Sequence, residues 1–96
     1  MTTLTLTSQR NGSLRPLVEA ALDNEAAVLA VGIRKTQWRL HEFESKYDLA
    51  TDEFLAKFRA GEIEESLELD EWIGESRMLH HLQEKLDTLR SLHIAD

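Results

Sequence analysis

The sequence predicts an all-α fold: a long antiparallel helical hairpin with a short helix between its arms, expected to dimerise into a bundle. Three observations predict it. Leu22, Ala26, Leu29, Ile33, Thr36, Leu40, Phe43 and Tyr47 recur at alternating steps of four and three, a heptad seam that asks for a neighbouring helix. Trp72, Leu79, Leu82, Leu86, Leu89 and His93 form a second seam, widened by Ile73, Met78 and Leu92. Between the seams, Phe43, Tyr47, Phe54, Phe58 and Trp72 crowd one stretch that also carries turn signals, as the joint of a hairpin would.

Residues 1–12 read as a tail. Leu4 and Leu6 alternate with threonines at strand period, but the run is short and has no second strand to pair with. Its sharper reading is a strand added to the edge of a partner's sheet. A single helical domain is expected over 13–96, with helices at about 14–47, 52–60 and 69–93.

The first helix is predicted from Leu14, with Ser13 as a cap and Pro16 in the first turn, where its missing N–H costs nothing. Its earlier half carries Leu17, Val18, Ala21, Val28, Ala30 and Val31 around much of the circumference, which predicts burial on more than one side. Gly32 costs about 1 kcal/mol against alanine in mid-helix and suggests a close crossing or a bend. The break falls at residues 47–50. Thr51 is the expected cap of the short helix, Asp52 and Glu53 suit its first turn, and Gly61 suits the residue just past its end. An acidic run, broken by Ile63 and Leu67, leads to the last helix from about Leu69.

Composition narrows the function. The 96 residues carry a formal net charge of -7 and no cysteine. The charge disfavours nucleic acid, whose affinity comes largely from lysine and arginine neutralising phosphates, and favours a basic protein partner. Without cysteine there is no disulfide, thiol nucleophile or thiolate metal site. No apolar run reaches membrane-spanning length and no signal-peptide core precedes the domain, so a cytoplasmic location away from the membrane is expected. A core this small on long rods favours homo-oligomerisation or burial against a partner.

Three sets of residues bear on chemistry. None of His41, His80, His81 and His93 has a carboxylate three residues before it, so the bundle di-metal pattern fails at each and no metal or cofactor is expected. Glu68-x-x-Glu71 followed by Glu84-x-x-Asp87 resembles the Mg²⁺-binding signature of all-α nucleotide pyrophosphohydrolases. In that family the halves face each other from separate helices, whereas here the pattern places both on one. Arg34, Lys35 and Arg39 form a basic cluster too small for a nucleic-acid footprint.

Phe43-Glu44-x-Lys46-Tyr47, then Asp52-Glu53-Phe54, Phe58, Gly61-Glu62 and Glu71-Trp72, resembles short helical bacterial and archaeal antitoxin-like proteins. The resemblance covers the central third and departs at Asp48, where that type has glycine. It implies a non-catalytic protein that binds and neutralises a small toxin. The expected partner-binding residues are the acids Glu62, Glu64, Glu65, Glu68, Asp70 and Glu71, with Trp38, Tyr47 and Trp72 as aromatic anchors. A structural or adaptor coiled coil and a pyrophosphohydrolase are the rival expectations.

Overall fold

A computed structural model describes residues 1–10 and 12–94. Asn11 of the expected tail, and Ala95 and Asp96 of the expected domain, lie outside the described residues. Three helices follow in order: α1 (Arg15–Tyr47), α2 (Thr51–Arg59) and α3 (Leu67–Ser91). No strand occurs among the described residues, and Leu4 and Leu6 of the tail are exposed.

Each helix boundary has a local cause. α1 starts without a side-chain cap: Leu14 holds the cap position, and Ser13, the expected cap, stands one residue too early. Pro16 sits in the first turn as expected. At the other end Asp48 adopts φ 48° and ψ 49°, the left-handed conformation that glycine usually fills, and its N–H donates to the Glu44 carbonyl. An aspartate there carries a Cβ penalty. Asp48→Gly is expected to raise stability by roughly 0.5–1 kcal/mol, read as a higher urea midpoint, because that penalty outweighs glycine's extra freedom when unfolded.

Thr51 opens α2 rather than capping it; Ala50 holds the cap position. The Thr51 N–H instead donates to Glu44 Oε2 at 2.8 Å, and its hydroxyl is engaged elsewhere. Gly61, at φ 75°, ends α2 as expected, with its N–H on the Phe58 carbonyl and the Glu62 N–H on the Lys57 carbonyl. α3 begins two residues before the expected Leu69, because Ser66 caps it: its Oγ accepts from the Leu69 N–H at 3.2 Å. The helix ends at Ser91, so His93 lies beyond it, exposed, and takes no part in the seam.

α1 and α3 run antiparallel in a constant heptad register. Gly32 meets Leu82, Arg39 pairs with Glu75 and Lys46 pairs with Glu68, so each step of seven along α1 matches a step of seven back along α3. Gly32 is the close approach: a Cβ there would stand 3.3 Å from Leu82 Cδ1. The seam residue Thr36 is buried, and its hydroxyl donates to the Gly32 carbonyl at 2.9 Å.

The core is concentrated at the elbow, where Leu40, Phe54, Leu69 and Trp72 are buried and Phe43, Leu49, Phe58 and Ile73 pack around them. Further along the rod, only Leu29, Thr36 and Leu86 are buried among the described residues.

The outer side of α1 departs from expectation. Leu17 is 69% exposed, Val28 57% and Val31 41%; Ala21 is exposed as well, and only Val18 and Ala30 are half-covered. The reason is geometric: a two-armed hairpin gives α1 one neighbour, so a helix apolar around most of its circumference keeps one side open. The molecule measures 61 × 25 × 18 Å, with a radius of gyration of 19.2 Å against about 12–13 Å for a compact chain of this length. Its surface of 7843 Å² exceeds by roughly 2,200 Å² the ~5,600 Å² of a compact 11.0 kDa monomer. No helix among the described residues is long and apolar enough to cross a membrane.

Candidate protein-binding surface

The elbow is built on Trp72. Its indole stacks on Phe54 at 3.9 Å between centroids and 6° between planes, with Phe43 and Tyr47 each at 5.5 Å. The indole Nε1–H donates to Thr51 Oγ1 at 3.0 Å, which is where the expected capping hydroxyl is engaged. A buried indole N–H needs an acceptor, and α2 supplies it. Trp72 and Phe54 are both fully buried. The anchor role expected for Trp72 is therefore corrected: the ring is enclosed by the chain's own elbow and has no face left for a partner.

Tyr47 remains on the surface, lying on the buried indole. Beside it, Lys46 Nζ donates to Glu68 Oε1 at 2.6 Å. That hydrogen bond holds the Glu68 carboxyl below the usual carboxylate range, with a second from the Tyr47 hydroxyl contributing, and raises Lys46 above its ordinary value. Tyr47 is raised first by desolvation and then by its bond to Glu68.

A depressed Glu68 contributes stability above the ordinary carboxylate pKa and loses it as pH falls through the folded value; a raised Lys46 contributes until pH climbs through its own. Both side chains are well exposed, so the effect is small. Glu68→Gln is expected to lower the urea midpoint slightly at neutral pH and to make its fall between neutral and acid pH shallower.

The remaining acids frame this spot. From Ala60 to Ser76 the chain holds seven carboxylates and no lysine, arginine or histidine. Ile63 is half-buried against the core, while Glu62, Glu64 and Glu65 around it face solvent. Asp70 and Glu71 are also exposed. Of these residues, only Glu68 and Glu75 are ion-paired among the described residues.

An open groove of about 600 Å³ runs between α1 and α3, lined by Phe43, Lys46, Glu68, Glu71, Gly74 and Met78 among others. Gly74 has open space where a Cβ would sit, so its side of the groove is bare backbone. The sequence reading missed Gly74 and placed Met78 on the seam with Leu92; Met78 is instead 49% exposed and lines this groove, and Leu92 is exposed beyond the end of α3. A glycine in mid-helix, a poor helix former, was the available signal for Gly74.

Trp38 is not part of the elbow. It is 64% exposed and lines a second, shallower hollow of about 480 Å³ with Arg34, Lys35, Arg39 and Glu42. The structure thus gathers Tyr47, Glu68 and Glu71 at one place, with Glu62, Glu64 and Glu65 on the adjoining loop, and leaves Trp38 on a different part of α1.

Both carboxylate pairs of the pyrophosphohydrolase pattern lie on the single helix α3. Sixteen residues separate Glu68 from Glu84, about 24 Å of helix rise, so the two pairs cannot close on one ion. Among the described residues no group of three or more histidine or carboxylate side chains is arranged to hold a metal ion. No protein-family model, curated protein or solved structure matches the chain.

Proposed function

We propose that this chain is a non-catalytic protein-binding module, an antitoxin-like partner that neutralises a small toxin with a basic surface. The observation that carries the reading is the acidic elbow: a stretch without a basic residue that runs from the 62–65 loop into α3, beside an open groove with Phe43 and Met78 in its walls. Unneutralised carboxylates of one sign attract a basic protein over long range, and the apolar walls offer it a place to settle.

The first test is co-purification with the product of the adjacent gene, together with relief by this protein of any growth arrest that product causes. Arrest left unrelieved counts against the reading. The residues are tested by Glu64→Lys with Glu65→Lys. The association rate at low salt should fall about ten- to a thousandfold and lose its dependence on ionic strength, at unchanged helix content. The constant heptad register favours a second reading, a structural or adaptor coiled coil, and such a protein would tolerate the same reversal.

A further inference from the structure

We infer that the outward side of α1 is a self-docking surface, on which a second copy of this chain lies antiparallel with Val28 level with Val31 of that copy. The inference does not rest on the toxin-neutralising reading and uses a different surface.

The open side of α1 has its own heptad. Leu17, Ala21, Val28, Val31 and Trp38 fall at steps that keep them on one stripe, about 140° around the helix from the seam that faces α3. All five are exposed. Two polar residues, Asn24 and Lys35, occupy the remaining positions of the stripe. A stripe with this spacing on a helix that already has one partner is built for a second.

Charge decides the orientation. From residue 16 to 33 every charged side chain of α1 is acidic: Glu19, Asp23 and Glu25. From 34 to 41 each is basic: Arg34, Lys35 and Arg39. A parallel pair would set acid on acid and stack Lys35 on Lys35. An antiparallel pair centred between residues 28 and 31 instead sets the acidic half of each α1 beside the basic half of the other copy, with Glu25, Arg34 and Lys35 nearest the contact; Glu19, on the seam side and paired to Arg15, and Arg39, paired to Glu75, lie farther from it.

The side chains agree with that register. It puts Asn24 level with Lys35 of the second copy, so the amide oxygen can accept from the ammonium group, twice by symmetry. Polar partners inside an apolar seam are a recognised means of fixing register. It also sets Ala21 level with Trp38 of the second copy, a small residue facing the largest one, with Ala20 and Ala27 leaving room beside the stripe. The hollow of about 480 Å³ beside Trp38 is then the edge of this contact.

The test is sedimentation equilibrium with site-directed cross-linking on the full chain. The wild type is expected to be a dimer. Val28→Glu should raise its Kd at least about thirtyfold while leaving the far-ultraviolet circular dichroism per residue unchanged, since Val28 is exposed in the single chain. Reversing Asp23 and Glu25 to lysine should also weaken it, and adding Arg34→Glu and Lys35→Glu to the same chain should restore it, with Arg39 and its pair Glu75 left intact. The chain has no cysteine, so Asn24→Cys and Lys35→Cys report register cleanly. Mixed, they should form a disulfide with each other, and neither should cross-link with itself. A monomeric wild type, a dimer that survives Val28→Glu, or self-cross-linking of Asn24→Cys would overturn the inference.

Discussion

Trp72→Ala is expected to lower unfolding stability by about 3–5 kcal/mol, enough to unfold much of the population of a domain this small. The indole is fully buried and three rings stack against it, from α1 (Phe43, Tyr47) and α2 (Phe54). Truncation removes the stack, leaves a cavity, and strips the Thr51 hydroxyl of its donor. Because α2 is joined to the rest largely through that stack, it should lose its helix first. Trp72→Phe is the control. It keeps most of the ring packing and loses the hydrogen bond, so it should cost clearly less than alanine. Urea titration followed by circular dichroism gives both numbers. A cost for alanine below about 1 kcal/mol would mean that Trp72 is not buried as described.

Leu86→Ala is expected to cost about 2–5 kcal/mol, but in a different place. The register puts Leu86 level with residue 28, next to buried Leu29, far from the aromatic elbow. Few other buried side chains hold that half of the rod, so truncation should release the end of α3 before the elbow opens. Hydrogen exchange should quicken for amides from about residue 80 to 91 while those around Trp72 stay protected. Uniform loss of protection would show that hairpin and elbow unfold as one unit.

The two seams, the short middle helix and the antiparallel closure were legible because apolar spacing at heptad steps has few other solutions. The start of α3 was not, since a serine among glutamates reads as part of a solvated run; only the Ser66 side chain accepting from Leu69 shows its capping role. Thr51 was misjudged for a related reason: its type suits a cap, but the nearby indole N–H claims its hydroxyl. Trp72 stands one heptad before Leu79 and two before Leu86, which points it inward; its acidic neighbours suggest a surface position, and the spacing prevails. The open side of α1 could not be read in advance, because a helix apolar all round predicts more neighbours without saying whether its own chain supplies them.

The loop from Glu62 to Glu65 divides the aromatic stack between two stretches of chain. Phe43, Tyr47 and Phe54 precede it and Trp72 follows. A nick there would yield two pieces, neither able to enclose an indole by itself, yet each still carrying a full-length seam for the other. The molecule is thereby a natural candidate for fragment complementation, with a blue shift of Trp72 emission signalling that the severed halves have found each other.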